Sequence, residues 1–100
     1  MGLTRLEAGN TWNTMPCHVH DRRSEADLHF DLAADARVIH LMGGLTETRR
    51  LVVADGEPIP SPPWSIHSGV GTRAYSFIRG MGGDNIDHTD MDMVPMEALR

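Results

Sequence analysis

The sequence contains no lysine, only one cysteine and no long apolar run. Because Cys17 has no second cysteine to pair with, the chain cannot form an internal disulfide, and nothing indicates an oxidising compartment. The apolar runs, such as residues 51–54, are far shorter than the roughly 18 residues that a membrane helix requires, and the N-terminus has no signal-peptide pattern. These absences predict a cytoplasmic protein that makes no membrane contact.

The charge is acidic and the chain is short. Nine arginines, spread along the chain, stand against fourteen Asp and Glu residues, which gives a net charge of −5. This balance argues against nucleic acid as the main partner. One hundred residues with an ordinary share of apolar side chains allow a single folded domain, which we expect to span residues 1–100.

Short β-favouring stretches recur at close spacing, which is typical of an all-β antiparallel sandwich or barrel. They cover residues 11–20, 25–32, 37–42, 50–54 and 73–81. Turns are expected between them, at residues 21–24, 33–36, 43–44, 55–56, 58–63 and 69–71. Helical periodicity is nearly absent, except for a helical turn expected within residues 95–100. Trp12, Tyr75 and Phe77 are expected in the core.

A chain of this length buries only about two thirds of its unfolded surface, and a thin sandwich exposes strand edges. We therefore expect the chain either to form oligomers or to lack part of its natural fold.

Six histidines in 100 residues are the unusual feature of the composition. In a strand, His18 and His20 project from the same face. Four polar residues separate His20 from Glu25, and a hairpin there would bring Glu25 opposite His20. His67 follows a rigid Pro-Pro-Trp segment. A lone histidine is usually an ordinary core or surface residue, but this spacing favours a divalent transition-metal site made by His18, His20, Glu25 and His67.

The pattern H-x-H-x4-E with a distal histidine is the metal signature of the cupins. Three longer strings are more specific: TWNTMPCHVHDRR at residues 11–23, SPPWSIHSGVGT at 61–72 and TDMD at 89–92. They closely resemble the 5-keto-4-deoxyuronate isomerases, also called 4-deoxy-L-threo-5-hexosulose-uronate ketol-isomerases. The resemblance covers nearly the whole chain and corresponds to the C-terminal part of a longer two-cupin subunit.

The resemblance implies an incomplete cupin-type jelly roll, one Zn²⁺ per chain held by the four residues above, and a hexameric assembly. It also implies a small-molecule uronate substrate. The reaction would interconvert 5-keto-4-deoxyuronate and 3-deoxy-D-glycero-2,5-hexodiulosonate during the bacterial breakdown of pectin and related polyuronates. This chemistry agrees with a metal site, because a bound cation polarises a carbonyl oxygen and so makes the adjacent C–H bond more acidic.

Three arginines match arginines of the family: Arg22, Arg23 and Arg49. They are candidates for binding the substrate carboxylate, with a solvated turn or an interface ion pair as the alternative. Arg49 and Tyr75 are also the candidate catalytic residues, Tyr75 as a proton donor if its ring faces the pocket. His40, which alternates with Val38 and Met42, is expected to be a packed core histidine.

The chain departs from the family pattern near the expected metal. The family carries bulky aromatic and apolar residues after Glu25, whereas here Asp27 and His29 share the face of Glu25. Arg79 stands where the family has tryptophan.

Three functions remain open from the sequence. The first is the metal-dependent isomerase, and the second is a non-catalytic metal- or sugar-binding cupin module with a role in oligomerisation. The third is another metal cupin enzyme, such as a small oxygenase, against which the long strings argue.

Overall fold

A computed structural model describes residues 2–20, 23–83 and 92–100. This part of the chain forms strands and one short 3-10 turn at Met96–Ala98. The expected all-β fold with a C-terminal helical turn is confirmed. No helix among the described residues is long and apolar enough to cross a membrane. The strands are β1 Gly2–Arg5, β2 Trp12–Val19, β3 Arg23–Phe30, β4 Val38–Gly44, β5 Glu47–Val53, β6 Pro58–Ser61, β7 Ile66–Gly71, β8 Ser76–Gly83 and β9 Asp92–Met93.

The described strands build two antiparallel sheets. One has four strands in the order β1-β8-β3-β6, and the other has five in the order β5-β4-β7-β2-β9. Both sheets are open, so these strands form no closed barrel, and the arrangement is that of an incomplete jelly roll. Most neighbouring strands within a sheet are distant in sequence, so residues far apart along the chain meet between the sheets.

Strand β3 occupies an inner position in the four-stranded sheet, and its side chains alternate strictly. Arg23, Glu25, Asp27 and His29 are buried, whereas the residues between them are exposed. The period of two predicted this shared face correctly. The four-stranded sheet therefore turns a row of charged and polar groups inward, where a purely structural sandwich would carry apolar residues.

Apolar packing is divided between two clusters. One lies between the sheets and consists of Leu32, Ala36, Val38, Val53, Ile59, Tyr75 and Phe77. The other consists of Cys17, Ile66 and Val94, with partly buried residues of the C-terminal segment packed against it. Backbone hydrogen bonds fasten that segment to the five-stranded sheet, from Val94 N to Cys17 O at 2.9 Å and from Arg100 N to Leu45 O at 2.8 Å.

Three of the expected turns are strands, and the first of them, at residues 43–44, is the end of β4. The turn expected at residues 21–24 is also too long, because residues 23 and 24 belong to β3. Residues 58–63 were expected as a loop because of their prolines, but β6 covers Pro58–Ser61. Proline lacks a backbone N–H, and β6 lies at the edge of its sheet, where a missing donor is tolerated. The expected turn at residues 69–71 is also wrong, because these residues end strand β7.

Of the three expected core aromatics, Tyr75 and Phe77 are buried, as predicted. Trp12 is 36% exposed, so its placement in the core is wrong. Its indole Nε1 donates a hydrogen bond to Ser68 Oγ at 2.7 Å. The ring thus lies at the surface with its polar edge anchored, which is common for tryptophan.

Candidate metal centre

Two neighbouring strands of the five-stranded sheet position the three histidines. His18 in β2 lies directly opposite His67 in β7, and His20 follows immediately after β2. All three side chains are buried, at 2–3% exposure. The strand period brings His18 and His20 to one face, as expected, and the antiparallel register adds His67 to it.

The three rings point their Nε2 atoms at one another. His18 Nε2 lies 3.2 Å from His20 Nε2 and 3.0 Å from His67 Nε2. One ligand nitrogen from each ring lies within 4.8 Å of the others. Ligands about 2.1 Å from a tetrahedral zinc ion are roughly 3.4 Å apart, so these separations are close to those a metal would impose.

Glu25 approaches two of these histidines from the other sheet. Its Oε2 lies 3.1 Å from His67 Nε2, and its Oε1 lies 3.7 Å from His20 Nε2. The expected hairpin between His20 and Glu25 is wrong, because β2 pairs with β7 and β9 whereas β3 pairs with β6 and β8. Strands β2 and β3 belong to different sheets, so the Glu25 carboxylate faces the imidazoles across the space between the sheets.

Burial keeps two of these imidazoles neutral. Together with nearby positive charge, it lowers the pKa of His18 to about 4 and that of His67 to about 3. A neutral imidazole offers a free lone pair at one nitrogen, which is the form that binds a metal ion. The environment therefore prepares both residues as ligands at neutral pH.

The Glu25 carboxyl behaves in the opposite way. Burial, the charge of Asp27 and a side-chain hydrogen bond to Asp27 raise the pKa of Glu25 to about 8. Burial also raises the pKa of Asp27. Two buried carboxyls that share a site resist double ionisation, whereas a cation at the site would favour it. The donor set of three imidazoles and one carboxylate fits a divalent transition metal.

A pocket of about 240 Å³, measured out to its mouth, opens beside this cluster. Both sheets contribute to its lining, in which most residues are polar and Tyr75 and Phe77 come from the core. The lining residues are Asn13, Glu25, Asp27, His29, His40, His67, Ser68, Gly69, Tyr75, Phe77 and Arg79. The polar side chains of this lining suit a ligand with several polar groups.

The candidate substrate-binding and catalytic residues differ in how close they lie to the pocket. Arg23 is buried at the start of β3, on the face of Glu25, and its charge acts on that carboxyl. Tyr75 lines the pocket and donates a hydrogen bond from its hydroxyl to Gly69 O at 3.0 Å. Arg49 is 66% exposed and pairs with Glu47 at 3.5 Å, away from the pocket lining. Arg22 lies outside the described residues.

Sequence reasoning did not assign Asn13, Ser68 or His40 to the pocket. His40 is buried and packed, as expected, with its ring 5.8 Å from that of His29. The alternation of side chains along β4 predicts that His40 points inward. Its position beside the histidine cluster depends on the pairing of β4 with β7. That pairing joins segments about 30 residues apart, and no local pattern predicts it.

No protein-family model matches the chain. Three curated proteins named 4-deoxy-L-threo-5-hexosulose-uronate ketol-isomerase match all 100 residues. The one from Rhizobium meliloti, numbered 2 in its name, is 64% identical, that from Bacillus pumilus 59% and that from Cereibacter sphaeroides 57%. The chain spans 36% of the length of each of these relatives. The resemblance seen in the motifs is thus confirmed: over its whole length, the chain is homologous to a region of the 4-deoxy-L-threo-5-hexosulose-uronate ketol-isomerases.

Proposed function

We propose that this chain carries the metal site of a ketol-isomerase that converts 5-keto-4-deoxyuronate into 3-deoxy-D-glycero-2,5-hexodiulosonate in polyuronate degradation. The observation that carries the proposal is the convergence of His18, His20 and His67 with Glu25 at separations of 3.0–3.7 Å. The names of relatives at 57–64% identity supply the reaction. Zn²⁺ is the proposed ion, because this ligand set suits its preferred coordination.

The reaction moves a carbonyl group to the neighbouring carbon, so a hydrogen must leave one carbon and reach the other. A bound divalent cation would polarise the carbonyl oxygen and make the adjacent C–H bond more acidic. The protein's part is to hold the substrate's carbonyl end at the cluster and to keep the site dry. The buried histidines and the narrow pocket beside them suit that task.

Asp27 is the proposed group for proton handling. Its side chain lies next to Glu25, lines the pocket, and has a buried Oδ1 without a hydrogen-bond partner among the described residues. With a divalent cation bound, Glu25 would be held as a ligand, which leaves Asp27 as the carboxyl free to exchange a proton with the substrate. Ionised Asp27 would accept the proton from one carbon at Oδ1 and, once protonated, would return it to the neighbouring carbon.

Tyr75 and the arginines take secondary parts in the proposal. Burial and the charge of Asp27 raise the pKa of Tyr75 to about 12, so its hydroxyl stays protonated. As a proton donor, it would exchange its bond to Gly69 O for one to the substrate. Arg22, Arg23 and Arg49 stay candidate substrate-binding residues, of which Arg23 is next to Glu25 and Arg49 would need a substrate that extends to the surface.

The chain is further proposed to be part of a C-terminal cupin domain in a longer subunit that assembles as a hexamer in the cytoplasm. Its two open antiparallel sheets support a partial jelly roll. The relatives are considerably longer than this chain, which supports a larger subunit.

The test is a product analysis by NMR. The zinc-loaded chain is incubated with 5-keto-4-deoxyuronate in D₂O, alongside His18→Ala and a surface control, Arg73→Met. The expected result is formation of the 2,5-diketone by the wild type and the control, and its loss in His18→Ala. Uptake of deuterium beside the new carbonyl would indicate proton transfer, whereas retention of the substrate's own hydrogen would indicate hydride transfer. A fully zinc-loaded chain that forms no product, even when extended to the relatives' full length, would overturn the proposal in favour of a non-catalytic module.

A further inference from the structure

One guanidinium lies inside the pocket. Arg79 in β8 is the cross-strand neighbour of Asp27 in β3, and it lines the pocket together with Glu25 and His67. Its side chain is 31% exposed, whereas that of Glu25 is 2% exposed. Arg79 is therefore more accessible to a ligand in solution than Glu25 is.

The guanidinium is held in place without using all its donors. Its central carbon lies 5.4 Å from the centre of the Phe77 ring, a cation–π contact that needs no N–H group. Its Nε lies 3.8 Å from Glu25 Oε1, which is too long for a hydrogen bond, and is buried without a partner among the described residues. An unpaired buried donor is unfavourable, so a ligand that accepts a hydrogen bond here would gain affinity.

Charge favours an anion at this position. A divalent cation at the histidine cluster would balance the two carboxylates, Glu25 and Asp27. The positive charge of Arg79 would then be uncompensated in the lining of the pocket. An anionic group that entered from the mouth would meet Arg79 first, because Arg23 is only 5% exposed.

We propose that Arg79 binds the carboxylate of the substrate and so selects sugar acids over neutral sugars. The inference rests on the proposed function in one respect: the substrate's carbonyl group is taken to lie at the His18, His20 and His67 cluster while its carboxylate binds Arg79. A guanidinium binds a carboxylate through two parallel hydrogen bonds, which fixes the orientation of the ligand as well as its affinity. Arg49, the exposed alternative, pairs with Glu47 and lies outside the pocket lining.

The test compares two sugars that differ only in the carboxylate, D-galacturonate and D-galactose. Their binding to the zinc-loaded chain is measured by calorimetry for the wild type, Arg79→Met, Arg79→Lys and Arg73→Met. Arg73 is a matched control, because it is an exposed arginine that pairs with Asp35 far from the pocket lining. Zinc content and thermal unfolding of each variant establish that it is folded.

The wild type and Arg73→Met are expected to bind galacturonate at least about tenfold more tightly than galactose. Arg79→Met should abolish this preference while the affinity for galactose stays the same, and Arg79→Lys should retain part of it. If Arg79→Met does not fold, the partial preference in Arg79→Lys decides the question. A wild type with no preference, or an arginine variant that keeps it in full, would overturn the inference.

These measurements are independent of turnover. A chain that shows the Arg79-dependent preference but forms no product, even when extended to the relatives' full length, would refute the proposed isomerase activity and leave the carboxylate site standing. An active chain in which Arg79→Met leaves both the KM for the uronate and the binding preference unchanged would refute the carboxylate site alone.

Discussion

The side chains of His18, His40 and His67 are all buried and uncharged. For each of them, burial is the largest cause of a lowered pKa. Three imidazoles that cannot take up protons in the folded chain make the metal-free protein sensitive to acid. A substitution of His40 tests this acid sensitivity without removing a proposed metal ligand, because His40 is not part of the His18, His20 and His67 cluster. Both of its ring nitrogens are buried without partners among the described residues.

Replacement of His40 by leucine should weaken the acid sensitivity. The pKa of His40 is about 4 in the folded chain and near 6.5 when unfolded, so between these values the unfolded chain binds a proton that the folded chain excludes. Stability is therefore lost as the pH falls through this window, by about 2 kcal/mol at pH 5. Urea denaturation of metal-free wild type and His40→Leu should show this difference at pH 5 and little of it at pH 7.5. Equal losses in both proteins would contradict the assignment of His40.

At the scale of single residues, the sequence predicts the ligand set better than the other parts of the site. The H-x-H spacing and the alternation of Glu25, Asp27 and His29 are local, so the strand period is enough to give their directions. Arg79 and Ser68 could not be placed in the same way, because their positions depend on which strands pair. The pairing of β3 with β8 joins segments about 50 residues apart.

At the scale of elements, the end of β7 and the start of β8 form one packed unit around Tyr75. The Tyr75 ring lies against Gly69 and Gly71, where a side chain would collide with it. This explains why a glycine-rich segment that resembles a turn is a strand: the glycines make room for a core ring rather than for a bend. The sequence alone does not distinguish these two uses of glycine.

A side chain at position 71 should therefore destabilise the fold. A Cβ there would lie 2.5 Å from Arg73 O and 2.7 Å from Tyr75 Cδ1, so the backbone or the ring must move. Gly71→Ala should lower the free energy of unfolding by about 1–3 kcal/mol, as overpacking does in other cores. Gly80→Ala in β8 is the matched control, because its Cβ would meet no atom within 4 Å. Thermal unfolding measures both, and equal melting temperatures for the two variants would contradict this role of Gly71.

The β2–β3 connection shows a different limit of prediction. Four polar residues between His20 and Glu25 suit a hairpin, yet the same length also carries the chain from one sheet to the other. Both geometries bring Glu25 near the histidines, which is why these residues lie close together although the expected pairing is wrong. In contrast, the prolines of β6 led to the expectation of a loop. A strand tolerates proline at the edge of a sheet, and the edge position of β6 is defined only by the complete sheet.

At the scale of the whole molecule, the site depends on both sheets. The histidines project from the five-stranded sheet, and Glu25, Asp27 and Arg79 from the four-stranded sheet. Each sheet alone would hold an incomplete set of ligands, so a bound metal ion would link the two sheets and stabilise their association.

The most direct test of this account is the zinc stoichiometry of the chain after purification without metal and titration with Zn²⁺. The account predicts about one tightly bound zinc ion per chain for the wild type, with a rise in melting temperature on binding. It predicts the same for His40→Leu, whose substitution removes a buried histidine outside the converging set, and loss of tight binding for His20→Ala. One equivalent retained in His20→Ala, or none bound by the wild type at micromolar zinc, would contradict it.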